Sequence, residues 1–240
     1  MFRLGPILAA FCIAISPVPA PAQGGPVVVE LFTSQGCSSC PPADALLSEL
    51  TGRPDVLPLA LHVDYWDYIG WKDEFAMPGH AQRQKGYAQA AGRKMVYTPQ
   101  MIVMGQEDVV GAKAMKLADL IARHKARAPL VTLKATRGGD RLTVALELPE
   151  GAAPPPGGPF DIHLVRYTPE RHARITRGEN AGRALDYSNI VDGWTVLGQW
   201  DGRTPGRFST EIRGPRPAAV LVQASGHGPI LGAARVAAAE

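Results

Sequence analysis

The chain has 240 residues, 45% of them hydrophobic and 20% charged, with a formal net charge of +3. It is long enough for one large domain or two ordinary ones, with ample apolar material for a core. So small a net charge argues for neither nucleic acid nor an anionic membrane surface as a partner.

The first residues read as a targeting signal: Arg3, an apolar run Ile7 to Ile15, and the small-residue site Ala20-Pro21-Ala22. Cleavage is expected near Ala22, which makes residues 1–22 a signal peptide and the mature protein periplasmic or secreted. No stretch reaches the roughly 18 apolar residues of a membrane span, so an integral membrane protein is not expected. Cys12 leaves with the signal, and Cys37 and Cys40 remain.

Val27 to Phe32 reads as a buried strand. Gly36-Cys37-Ser38-Ser39-Cys40-Pro41-Pro42 follows, and then Ala43, Leu46, Leu47 and Leu50 recur at helical spacing. Pro41 and Pro42 suit a first helical turn, where an N–H has no partner anyway. Cys37 is therefore expected just outside the helix N-terminus, where the dipole favours a thiolate. Cys40 is expected one turn inside, placed to resolve a mixed disulfide formed at Cys37. A structural disulfide is the alternative, although a bridge closing so short a loop stabilises little.

Val56 to Val63 reads as a second strand, parallel to the first because a helix joins them. The aromatic stretch Asp64 to Gly92 carries Tyr65, Trp66, Tyr68, Trp71 and Phe75, with a helix expected over His80 to Ala91. Met101 to Met104 and Glu107 to Val110 make a hairpin around Gly105, and Ala114 to Ala126 an amphipathic helix.

This order resembles the thioredoxin fold. Val29 to Asp44, His62 to Trp66, Gly70 to Asp73, Tyr97 to Gln100 and Arg177 to Arg183 resemble a family of secreted bacterial thioredoxin-like proteins catalogued as a domain of unknown function. The resemblance implies a cis Pro99 facing the cysteines, with Thr98 bordering the sulfur atoms. It also implies a buried carboxylate near the position of Glu30, able to accept a proton. Trp66 and Trp71 are candidates for a substrate groove, the alternative being a small core of the insertion itself.

From Pro129 onward short strands and turns replace helical periodicity. A thioredoxin-like domain with a helical insertion is expected over residues 23–128, and a small antiparallel β-sandwich-like domain over 129–240. The Arg177 to Arg183 loop is expected to pack on the first unit. The leading functional expectation is an exported thiol–disulfide oxidoreductase that exchanges with protein or small-molecule thiols and needs no cofactor. Cys37 is its nucleophile, Cys40 its resolving thiol, and Pro99 and Glu30 assist. The alternatives are a copper-handling module, with a histidine such as His62 or His80 joining the two thiolates, and a redox-inert scaffold.

Overall fold

The structure, a computed structural model, describes residues 25–238; the expected signal peptide lies outside them. It is a mixed α/β architecture, mostly sheet, with three α-helices. Strand β1 (Val27–Thr33) is buried at every position, as its predominantly apolar sequence suits in a central strand. It runs parallel to β2 (Val56–His62), from Val27 opposite Val56 to Thr33 opposite His62. On its other side β3 (Gln100–Val103) is antiparallel, Phe32 facing Gln100, and β4 (Glu107–Val110) closes that edge.

Side chains alternate across β1. Val27, Val29 and Leu31 meet Ala43 and Leu47 of α1 (Pro41–Glu49), its C-cap Leu50, and Leu117, Leu120 and Ile121 of α3 (Ala114–Lys125). Val28 and Phe32 point the other way, toward Ala81 and Tyr87 of α2 (Pro78–Ala90). Helices therefore cover both faces of the sheet at β1.

Beyond residue 128 come the hairpin β5 (Thr132–Gly138) and β6 (Arg141–Glu147), then β7 (Phe160–Arg174), β8 (Ala184–Trp200), β9 (Gly206–Glu211), β10 (Ala218–Ala224) and β11 (Ile230–Val236). Four of these extend the first sheet, giving one eight-stranded sheet in the order β11-β10-β7-β8-β2-β1-β3-β4. The other three form a small sheet, β5-β6-β9, that packs Leu142, Val144 and Leu146 against Phe160, Ile162 and Val220 of the large one.

The sheet thus continues across the expected boundary near Ala128. β8 meets β2 in parallel through a single pair, Ala60 and Ile190. Asn189, with a positive φ of 48°, reinforces that junction by donating its amide to the carbonyl of Pro58 at 2.8 Å. Where short separate strands were expected after Pro129, β7 and β8, of 15 and 17 residues, pair as one long ribbon. Pro169 and the exposed polar stretch Glu170 to His172 conceal the ribbon in the sequence.

Candidate functional site

The ribbon's tip, residues 175–183, reaches the loop that joins β1 to α1. That loop turns tightly: the Cys37 N–H donates to the Ser34 carbonyl at 3.1 Å and the Cys40 N–H to the Cys37 carbonyl at 3.2 Å. Cys37 and Cys40 form a disulfide with their Cα atoms 5.4 Å apart. Cys40 is the N-cap of α1, with Pro41 at the first helical position, rather than a residue one turn inside. The two prolines start the helix at once, so both sulfurs lie at its N-terminus.

A nucleophile has to be reached by its substrate, yet Cys37 is only 1% exposed, and Cys40 is fully buried. The ribbon tip is bonded to the backbone of this loop. Asn180 donates its amide to the carbonyls of Gln35 at 2.8 Å and Cys37 at 2.9 Å, and the Glu179 carboxylate accepts the Ser38 N–H at 3.2 Å. Arg183 donates to the Asn180 amide oxygen at 3.1 Å, which fixes the direction of that amide. Ser38 and Ser39, between the two cysteines, remain exposed.

The aromatic stretch braces the opposite side. Helical structure between β2 and α2 is limited to a single 3-10 turn, Asp67–Ile69. A Cβ on Gly36 would lie 3.2 Å from the Trp66 Cβ, so glycine is what lets the two segments touch. Trp66 donates its indole N–H to the Thr98 hydroxyl at 2.7 Å, and Trp71 donates to the Gln35 amide oxygen at 2.7 Å. Both tryptophans are half-buried and committed to holding loops. The Thr98–Pro99 bond is cis. Continuing the β1–β3 register beyond Phe32 and Gln100 sets Pro99 level with Thr33, where the cysteine loop begins.

Three buried ionisable side chains gather beneath the loop. Asp73 accepts the Gln35 N–H and meets His62 Nδ1, each at 2.8 Å, and it accepts the Phe75 N–H at 2.9 Å. Burial pushes the Asp73 pKa up, but His62 and these hydrogen bonds outweigh burial and hold it below the usual carboxylate range. Asp44, in the first turn of α1, contrasts with it: neither of its oxygens has a hydrogen-bond partner among the protein atoms. Burial raises its pKa to about 7, with His62 and then Thr33 pulling it down and Asp73 pushing it up. The Thr33 hydroxyl is close enough to matter electrostatically but is itself unpartnered. Asp44 also lines a cleft of about 370 Å³ with Pro41, Ser48 and Tyr187.

Glu30 is completely buried, on the sheet face opposite α1. Arg83 pairs with it through Nε at 2.6 Å and Nη2 at 3.1 Å, and Tyr87 donates its hydroxyl to the same carboxylate. Gln223 of β10 joins by accepting from Arg83 at 2.9 Å and donating to the Tyr87 oxygen at 3.0 Å. This network ties β1, α2 and β10 together. His80 uses Nδ1 on the His62 carbonyl at 2.8 Å, and burial lowers its pKa to about 4. Among the described residues, no group of three or more His, Cys, Asp or Glu side chains is spaced to hold a metal ion.

Sequence reasoning singled out Cys37, Cys40, Pro99 and the contact made by the Arg177 to Arg183 loop, but passed over Asp44. A signal was there: a carboxylate four residues after Cys40, on the helix arc that carries Leu47.

Residues 28–223 match the family described as "Protein of unknown function (DUF1223)", and the chain belongs to that family. The chain is similar to the X-ray crystal structure of protein AGR_C_4864 from Agrobacterium tumefaciens, with 33% identity, a TM-score of 0.75, and coverage of 91% of this chain and 97% of that one. It shares its fold with HBP35 of Porphyromonas gingivalis, at 16% identity and a TM-score of 0.63, covering 91% of this chain and 77% of the other. The comparison with curated proteins found no match. No helix among the described residues is long and apolar enough to cross a membrane.

Proposed function

We propose that the protein is a thiol–disulfide oxidoreductase with a thioredoxin-like unit, working outside the cytoplasm after loss of its signal peptide. The observation that supports this most is the placement of the Cys37–Cys40 disulfide at the junction of the central strand β1 and the N-terminus of α1. The helix terminus favours an anionic sulfur there. The parallel β1–α1–β2 unit, the antiparallel β3–β4 hairpin and the closing helix α3 agree with a thioredoxin-like arrangement.

In the reducing direction the Cys37 thiolate attacks a substrate disulfide. A Cys37–substrate bond forms, the substrate S–S bond breaks, and one substrate thiolate leaves. Cys40 then loses its proton and attacks the Cys37 sulfur. The Cys37–Cys40 bond forms again, and the second substrate thiolate departs with the electron pair. We assign the proton-accepting role to Asp44 in place of Glu30. Positions 40 and 44 share one side of the first helical turn, the Asp44 N–H donates to the Cys40 carbonyl at 3.1 Å, and a carboxyl group with a pKa near 7 exchanges protons at neutral pH. Glu30, held by Arg83 on the other face, serves stability instead.

Trapping in the native host tests this reading. Cys40→Ser should accumulate mixed disulfides through Cys37 on non-reducing gels, while Cys37→Ser traps almost nothing. Equal trapping by the two variants, or none by Cys40→Ser, would remove the assignment.

A further inference from the structure

The disulfide sits at the edge of the fold, yet Cys37 is only 1% exposed. A distant segment, the tip of the β7–β8 ribbon, is hydrogen-bonded to the backbone on both sides of it. That tip is pre-shaped by its own bonds: the Ile175 N–H donates to Arg183 at 2.9 Å, the Gly182 N–H to Ile175 at 2.8 Å, and the Ala181 N–H to Gly178 at 3.2 Å. It seats on the aromatic brace at Gly178, where a Cβ would lie 3.2 Å from the Trp71 Cβ.

Two side chains then grip the cysteine loop, and they differ in kind. Asn180 is 1% exposed and satisfies two backbone carbonyls on either side of Gly36. Removing its amide leaves the Gln35 carbonyl without this partner and the Cys37 carbonyl with the Cys40 N–H alone, which is costly. Glu179 is exposed, and its bond to the Ser38 N–H competes with water. Its carboxylate also occupies an N–H beside Cys37 that would otherwise stabilise a thiolate there.

We propose that the 175–183 tip is a latch on the disulfide, with Asn180 its positioning residue and Glu179 its release point. Cys37 then reacts fast only with partners that displace the tip, and small soluble thiols reach the sulfur slowly, when the tip opens by itself. This rests on the oxidoreductase reading for its purpose but not for its geometry. Opening needs no unfolding of the sheet, because the tip projects beyond the paired strands.

The test is the rate at which a water-soluble phosphine reduces the disulfide of the native, full-length protein. The phosphine attacks one sulfur and breaks the S–S bond; water then displaces the thiol, leaving phosphine oxide and two thiols that are counted by alkylation. Loss of the two Asn180 bonds should speed reduction at least about tenfold in Asn180→Ala, and loss of the exposed bond a few-fold in Glu179→Ala. The Ser38 amide should exchange hydrogen more slowly than that of Ser39 in the wild type, and lose that protection in Glu179→Ala. Should Asn180→Ala fail to fold, the exposed Glu179 position decides alone. Rates within twofold of wild type, or a Ser38 amide no better protected than Ser39, would overturn the latch. The phosphine reports access to sulfur whether or not any biological partner exists. Failure of the latch therefore leaves the trapping result untouched, and failure of trapping leaves the latch standing.

Discussion

Asn180 donates its side-chain amide to the backbone carbonyl of Cys37 at 2.9 Å across 143 residues of chain. That bond makes the strand-rich second half part of the cysteine site. One sheet runs through both halves, with β8 beside β2, and the ribbon tip meets the loop after β1.

Glu30→Gln should destabilise the protein. The substitution leaves Arg83 buried and charged without its carboxylate, a loss of roughly 3–5 kcal/mol. Chemical denaturation at pH 7 measures it. The rate at which phosphine reduces the disulfide should stay unchanged, because the pair lies on the face away from α1. A variant as stable as the wild type would mean that the pair contributes nothing net.

Asp44→Asn should give a pH-dependent gain in stability. The Asp44 pKa is raised from 3.8 to about 7 in the folded protein, so between those values the native state holds a proton that the unfolded chain has lost. Stability contributed by this group therefore falls as pH rises from about 4 to 7, and it stays low above that. His80 and His163, each lowered from 6.5 to about 4 mainly by burial, act in the opposite sense over pH 4 to 6.5 and mask the fall. The difference between variant and wild type isolates Asp44. It should grow from near zero at pH 4 to at most about 4 kcal/mol above pH 7. A flat difference would deny the raised pKa.

The same variant should slow resolution by Cys40. Removing a general base typically costs on the order of 10²-fold or more, and here the inflection near pH 7 should vanish with it. Stopped-flow release of a mixed disulfide formed at Cys37 reads both. An unchanged pH profile would return the role to water.

Gly178→Ala should loosen the ribbon tip. Gly178 has a φ of 74°, and an added Cβ would press on Trp71 at 3.2 Å. The left-handed backbone alone costs a β-carbon roughly 1–2 kcal/mol. Faster phosphine reduction with only a small drop in melting temperature is the expected pair of results.

Much of the first half was legible because local physics decides it. β1 is apolar apart from Glu30 and Thr33, Pro41 and Pro42 announce a helix start, and Leu117, Leu120 and Ile121 keep the period of α3. The long ribbon was not legible. Pro169 interrupts the strand pattern, Asn189 takes a positive φ, and the exposed run of Glu170 to His172 shows no apolar alternation. Partners were hidden as well. Glu30 was visible as a lone charge in an apolar strand, but Arg83 lies 53 residues away and nothing local pairs them. Asp44 looked like an ordinary first-turn acid favoured by the helix dipole. Only the packing of the fold around it buries that acid, and burial raises its pKa against the pull of His62 and Thr33.

The most direct test of the oxidoreductase reading is the reduction potential of the Cys37–Cys40 pair at pH 7. The purified protein is equilibrated in thiol–disulfide buffers until the reduced fraction stops changing, since the ribbon tip slows the approach. A disulfide that exchanges with partners should lie between roughly −270 and −120 mV, the span of known exchange catalysts. A value below about −300 mV would contradict the account and mark the bridge as a structural one.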